Sequence, residues 1–532
     1  MKNIINKNKL LILFSILSLS SCSDYIDVEN FNQISSENFY RDETELSLAV
    51  NGCYNTLRAP IAFEWMLSEI RSDNTFMNNT GTTNAQNLQV YSNDIFQAPS
   101  FDLFIESYWA TTYTSIRSIN ALLQGLKTSY NASTGTIDYN GSVAVSDAIR
   151  KTTAGEASFM RAYHYFNLVR LYGGVYLLDR PITSEEALNL SRASVDDIYK
   201  FIIADLKNAS ANCISTTFAG TTAANKGRAT AWAAKALLAK VYLTRGQKSD
   251  ALPLLTDVIA NSGYSILTGT GAYANVFAST NELNAEILFA IRFKSGGLGY
   301  GSSLANLFSS NTNAVTTQTG LPVPAGTRGA YNNPTEELYN SYSASDVRRN
   351  YNIKVYKPTP TSVSTTWTYW ASKHITTVGV ANDSELDWPV LRFSDVLLMY
   401  CEAVGTANTT TLDYLNRVHT RAGLTAYTLT NLASTAAYES AVANERRWEF
   451  ALENQRWFDL LRFNTTMTTI TAKGVMDNHF SLMTAFYAQY DNPFTLLQLQ
   501  AHTADPKFKL LPIPNIEIVT NTKNKIPQNE GY

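Results

Sequence analysis

Charge is what this 532-residue chain has least of: Asp, Glu, Lys and Arg make up 16% of it, against ~25% in an average soluble protein. The formal net charge is -3. A surface of that kind has nothing to neutralise a phosphate backbone, which excludes a nucleic-acid binder. Histidine is scarce, at five, and so is cysteine, at four. HExxH, CxxC and paired Cys/His spacings are all missing, which disfavours zinc. GxxxxGK[ST] is missing too, which removes the phosphate-cradling loop. Intrinsic disorder is excluded because 45% of the residues are apolar and the net charge is low. What remains is rich in uncharged polar residues and aromatics, with 30 Tyr, 24 Phe and 8 Trp. A near-neutral surface of Tyr and amide side chains suits an uncharged polar ligand better than a charged one. The length gives about three to four domain-sized units, or fewer large ones.

The N-terminus is an address. Lys2, Lys7 and Lys9 precede an apolar run from Leu10 to Ser21, too short for a bilayer span of ~20 residues and suited to a secretory signal. It ends Leu19-Ser20-Ser21-Cys22, the pattern of a bacterial lipobox, in which the Cys22 thiol takes diacylglycerol and the peptide is cut before it. The alternative is an ordinary signal peptide with an incidental Cys. Removing residues 1–22, with three Lys and no acid, leaves a charge of -6. No later apolar run reaches the ~18 residues of a span, so lipid is the expected anchor. Cys53, Cys213 and Cys401 are far apart and odd in number, and read as buried free thiols.

Helical period dominates the body. In residues 155–172, Phe159, Ala162, Tyr163, Phe166, Val169 and Tyr172 recur at three and four and predict one apolar face. Gly173-Gly174 ends that helix. Asp196–Asn208 predicts a second, with Ser194 as its cap. The Ala-rich run 229–243, a break at Gly246 and a further helix over 251–260 follow the tetratricopeptide logic of helix, glycine turn, helix. Two more helix pairs are expected near 394–423 and 436–463. Segments 285–293 and 366–380 alternate as strands do. Tracts 73–100, 295–333 and 357–388 are rich in Asn, Thr, Ser and Gly, and loops that long are usually functional or disordered.

Catalytic constellations are weak. Gly297-Leu298-Gly299-Tyr300-Gly301 is GxGxG, not GxGxxG, and no βαβ unit follows it, so it reads as a loop. Glu445, Arg446, Arg447, Glu449, Glu453, Arg456, Asp459 and Arg462 form the densest charge cluster. On a continuous helix Glu445, Glu449 and Glu453 share a face, but glycosidase carboxylates face each other across a cleft. Interleaved arginines point instead to buried ion pairing. Asp383, Glu385 and Asp387 offer oxygen ligands for a structural calcium, off the EF-hand spacing; the alternative is a solvated acidic turn. No other cofactor is expected.

The lipobox at Cys22, EASFMRAYHYFNLVRLYGGVYLL (156–178), GRATAWAAKALLAKVYL (227–243), PVLRFSDVLLMYCEA (389–403), LNRVHTRAGL (415–424), NERRWEFALENQRWFDLLRF (444–463) and the ending LLPIPNIEIVTNTKNKIPQNEGY (510–532) together resemble the SusD/RagB nutrient-uptake lipoproteins of the Bacteroidetes outer membrane. The resemblance spans nearly the whole chain. It implies a mainly α fold on tetratricopeptide-like hairpins with long irregular loops and a few short strands, and no enzyme activity. The implied organisation is a lipoprotein signal peptide at 1–22, an N-terminal region at 23–280 and a C-terminal region with ligand loops and closing helices at 281–532. It also implies a surface protein, lipid-anchored in the outer membrane, that hands oligosaccharides to a SusC-like TonB-dependent transporter. A peptide-binding relative on the same scaffold is the alternative. Aromatic platforms and amide donors suit a glycan; a strand edge would suit a peptide. From the residue types in the loops, the expected ligand surface comprises Asp73, Asn74, Phe76, Asn78, Asn79 and Tyr91 from 73–100, with Tyr300, Phe308 and Asn311 from 295–333. Flanked by glycines, Tyr300 is the foremost of these. Phe76 and Phe308 have an equal alternative as plugs that hold loops to the scaffold. Trp367, Tyr369 and Trp370 rank lower, because their alternation suggests a strand with one buried face.

Overall fold

Side-chain caps set most helix starts. Ser146, Ser194, Thr230 and Ser434 each accept from a backbone N–H three residues on, which satisfies a donor that the first turn leaves without a partner. The computed structural model describes residues 40, 42–77, 85–309, 329–356, 368–488 and 494–532. Its longer helices are α1 (Glu43–Thr56), α2 (Arg58–Leu67), α3 (Ala85–Asp94), α4 (Leu103–Gly125), α5 (Asp147–Tyr172), α6 (Val195–Asn212), α7 (Ala231–Thr244), α8 (Lys248–Asn261), α9 (Phe393–Val404), α10 (Thr409–Arg421), α11 (Thr435–Phe450), α12 (Arg456–Thr466) and α13 (Ala472–Tyr487). The strands are short: β1 (Thr75–Phe76), β2 (Thr128–Asn131), β3 (Thr136–Tyr139), β4 (Ile287–Ile291), β5 (Asn333–Pro334), β6 (Ile353–Tyr356), β7 (Thr368–Ala371) and β8 (Trp388–Arg392). They form antiparallel pairs β1–β5, β2–β3, β4–β8 and β6–β7.

The helices stack in series. α5 lies on α6, α6 on α7, α7 on α8, α8 on α9 and α9 on α10, and α11 closes over α9 and α10. Alanines at 231, 233, 234, 236 and 239 on α7 are buried and allow the close approach that hairpin stacking needs. This is the mainly α, tetratricopeptide-like scaffold that the sequence predicts. α5 departs from the expected single apolar face: from Thr153 to Tyr172 every residue except Arg170 is buried. With α1 and α4 on one side and α6 on the other, this stretch of α5 has no solvent face. Its polar side chains therefore carry partners; Arg161 pairs with Asp205 at 2.8 Å, and Glu156 with Arg228 at 3.0 Å. Burial pushes the His164 pKa down to about 3, so this ring stays neutral. Cys53, Cys213 and Cys401 are buried free thiols, as expected.

Residues 262–392 interrupt the stack between α8 and α9. Their ends are tied together by the β4–β8 pair, where Ile291 faces Trp388 and Ile287 faces Arg392. Farther out, Phe76 pairs with Asn333, the Ala330 N–H donates to Ser309 O at 2.9 Å, and Tyr356 pairs with Thr368. Ala330 packs on Tyr356 and Trp370, and the Phe486 ring lies 4.4 Å from that of Phe76. Within tract 73–100 the structure places a helix, α3, rather than loop throughout. Strand structure in 366–380 is confined among the described residues to β7, and both Tyr369 and Trp370 are buried, so the strand has no exposed face.

The charge cluster is the interior of the molecule. α11 ends at Phe450, so Glu453 sits in the following turn, where Leu452 and Asn454 have φ of 67° and 58°. It does not extend the helical face of Glu445 and Glu449. Arg348 pairs with Asp346, Glu445 and Glu449; Arg392 with Glu286, Glu449 and Glu453; Arg421 with Glu286 and Glu449. Arg446 and Arg462 share Asp459, and Lys373 meets Glu453 at 2.6 Å. Burial alone would raise the Glu449 pKa, but Arg421, Arg392 and Arg348 outweigh it and hold the carboxyl well below the usual range. The pairs of Arg348, Arg392, Arg421 and Lys373 join the 262–392 insertion to α10, α11 and the turn that follows it.

Candidate functional site

The site begins with a glycine-rich turn. Lys294 N–H donates to Tyr300 O at 2.9 Å and closes a loop over 295–299. Inside it the Gly296 and Gly297 amides donate to Asp383 Oδ2 at 2.8 and 2.9 Å. Both glycines have positive φ, 116° and 71°, a conformation other residues adopt only with strain. At Gly301 a Cβ would stand 2.4 Å from the Asp383 Cα, so that strand of the loop also needs glycine. The turn presents Tyr300 at 45% exposure, with Leu298 at 62% and Val380 at 58% nearby in sequence to Asp383. The Arg58 guanidinium lies 4.8 Å from the Tyr300 ring centroid, a cation–π contact. Arg58 is itself fixed: its Nε donates to Arg292 O at 2.5 Å and its Nη1 to Asn55 Oδ1. One ring face is thus supported by a held cation, and the exposed remainder is a flat apolar platform.

Charge around the platform is paired. Arg292 meets Glu282 at 3.0 Å and also Asp387. Burial, reinforced by the Asp387 charge, pushes the Glu282 pKa up to about 7. Glu385 accepts from Ser295 and Lys294, and Asp387 from the Phe293 N–H. Asp383, Glu385 and Asp387 are therefore each committed to separate protein donors, and among the described residues no group of three or more His, Cys, Asp or Glu is placed to hold a metal.

Most of the other expected ligand residues are interior. Asp73 is buried and takes Arg456 at 2.8 and 2.9 Å and Arg447 at 3.0 Å. Burial would raise its pKa, yet Arg447 and Arg456 hold it well below the usual range. Asn74 is buried between Arg447 and Glu69. Phe76 packs on Phe486, Tyr91 is buried beside Phe494 at 6.4 Å, and Phe308 sits edge-on to Trp65 at 5.5 Å. These five side chains hold the bases of the loops and are not surface contacts. Asn78, Asn79, Asn311 and Trp367 lie outside the described residues, as does Cys22. Sequence reasoning missed Arg58, which sits at the start of α2, far from Tyr300 in the chain; no local pattern signals that contact.

Residues 286–532 match the sequence profile of the SusD family, and residues 24–243 match one described as "Starch-binding associating with outer membrane". The chain belongs to the SusD/RagB family. It is accordingly a binding protein and not an enzyme. SusD-like protein P25 of Formosa agariphila is 24% identical over 505 residues, covering 87% of this chain and 91% of that one. A SusD homologue from Bacteroides thetaiotaomicron has the same fold, with a TM-score of 0.73 at 18% identity over 93% of this chain and 98% of that one. So does surface glycan-binding protein A of Bacteroides thetaiotaomicron, solved in complex with laminarihexaose, with a TM-score of 0.69 at 20% identity over 92% and 99%. Among the described residues no helix is long and apolar enough to cross a membrane.

Proposed function

We propose that the chain is a cell-surface lipoprotein of the outer membrane, anchored through Cys22, that captures oligosaccharides and delivers them to a SusC-like TonB-dependent transporter. Capture is carried by Tyr300: a partly exposed ring, backed on one face by a held Arg58, in a turn that also exposes Leu298. The C–H faces of a pyranose pack on such a ring, and the contact removes apolar area on both partners from water. Membership of the SusD/RagB family supports the reading, as do relatives whose names record glycan binding, a laminarin-binding SusD-like protein among them. The outer-membrane location draws on the family description and on the Leu19-Ser20-Ser21-Cys22 sequence.

The test is isothermal calorimetry of the mature protein with laminarin, starch, xylan, levan, mannan and chitin oligomers beside a peptide mixture. Saturable heat with at least one glycan is expected. Saturable heat with peptides and none with any glycan overturns the reading.

A further inference from the structure

We infer that the cavity between the end of α8, the loop after it, the first turn of α9 and the last turn of α10 is a second ligand site, one that takes an anionic sugar. Its volume is about 590 Å³, the size of pockets that enclose small ligands. None of its lining residues belongs to the Tyr300 platform. The floor is apolar, made of Ile259, Ile266 and Phe393. The polar side chains of the lining are hydroxyls and guanidinium groups: Tyr264, Ser265, Thr268 and Thr420 with Arg417 and Arg421. No carboxylate lines it, in a chain whose net charge is negative.

The two arginines are not equivalent. Arg421 is 2% exposed, and both terminal nitrogens are taken by Glu286 and Glu449 at 2.7 and 2.5 Å. Its Nε–H is buried with no acceptor among the described residues. A buried donor without an acceptor is costly, and the residue that carries it is part of this cavity's wall. Arg417 is at 49% exposure; among the described residues its ion pair is with Asp413, at 2.7 Å, and its guanidinium lies 5.2 Å from the Tyr414 ring centroid. Exposed pairs one helical turn apart contribute little, so an incoming anion can take this guanidinium at small cost. Its planar fork suits carboxylate and sulfate alike. A half-exposed guanidinium and exposed hydroxyls around an apolar floor favour a ring that offers C–H faces and an anionic group. A saccharide of one or two rings bearing a carboxylate or a sulfate has that chemistry.

The test uses the mature protein and three probes: digalacturonate, galactose 6-sulfate and neutral cellobiose. Thr268→Trp fills the cavity and Arg417→Ala removes the accessible cation; both positions are exposed, and circular dichroism checks that each variant folds. Arg421 is left alone because it belongs to the interior ion cluster. Saturable binding of one or both anionic sugars is expected, abolished by Thr268→Trp and weakened about tenfold or more by Arg417→Ala. It should weaken as salt rises and be unchanged in Tyr300→Ala. Binding of digalacturonate alone assigns the carboxylate as the source, and of galactose 6-sulfate alone the sulfate. The inference is overturned by absence of heat with both anionic sugars, by anion binding that neither variant alters, or by cellobiose binding that Thr268→Trp abolishes equally. Because Tyr300 is not part of this cavity, the glycan-capture reading fails or stands on separate titrations.

Discussion

Asp73 and Tyr300 come from similar polar, loop-rich sequence, and their environments give them opposite roles. Asp73 is enclosed by Arg447 and Arg456, from elements far along the chain, so its charge is spent on folding. Tyr300 sits among glycines, which bring no side chains to cover it. Local composition shows the second situation but not the first, because burial is decided by partners hundreds of residues away. The ion pairing of Glu445, Glu449 and Asp459 was legible, since acids and arginines alternate there; the identity of Arg348, Arg392 and Arg421 as partners was not. Removing one member of a buried pair strands the others, at about 3–5 kcal/mol. Glu449→Ala should therefore lower the melting temperature markedly in differential scanning calorimetry. Unchanged melting with lost glycan binding would move Glu449 to the site. The sign of the pH effect follows as well. Glu449 and Asp73 are held below their unfolded values, so their stabilisation is present above ~4 and is lost as pH falls below it. Glu449→Gln should flatten that acid limb relative to wild type.

Among elements, those with a cap and a period were readable, and those shaped by packing were not. Ser194 ahead of α6 and the glycine at 246 between α7 and α8 act through neighbours in sequence, so their effect shows in the chain itself. The burial of α5 is not legible in its sequence, because Arg161, His164 and Glu156 look like a solvent face until α6 and α1 supply Asp205, an apolar cover and Tyr54. The β1 end and the end of α13 show the same dependence. Asp94 at the end of α3 accepts from Met77 N–H at 3.4 Å and from Tyr487 OH at 3.0 Å. Burial pushes its pKa up to about 7, against the opposing charge of His479 and these two bonds. A raised carboxyl stabilises the fold when protonated, so this contribution is fullest near ~4 and lost as pH rises to about 7. Asp94→Asn, which stays neutral, should gain melting temperature over wild type at pH 8 and gain little near pH ~4, with an intermediate gain between. An equal difference at both pH values would show that Asp94 does not titrate in this range.

For the whole molecule, a helical stack carrying several long polar tracts was foreshadowed by Ala-rich helices and glycine turns, since hairpin repeats carry their own packing rule; that two of those tracts fall in one insertion between α8 and α9 was not. Where the insertion brings Arg58 under Tyr300 was not, because the contact joins α2 to a turn after β4. Membrane attachment is proposed to rest on Cys22 alone, so Cys22→Ala should move the protein from the membrane to the soluble fraction and abolish palmitate labelling. Persistence of the variant in membranes would contradict lipid anchoring. Affinity purification of the tagged protein in mild detergent should co-recover a barrel protein of the ~100 kDa class, the size a plugged 22-stranded transporter requires. Glycan capture on the Tyr300 platform is the central functional claim. Calorimetry of Tyr300→Ala with whichever oligosaccharide binds wild type tests it most directly. A covered aromatic ring contributes about 1–3 kcal/mol, so affinity should fall roughly five- to a hundredfold with the melting temperature unchanged. Equal affinity in wild type and Tyr300→Ala would contradict it.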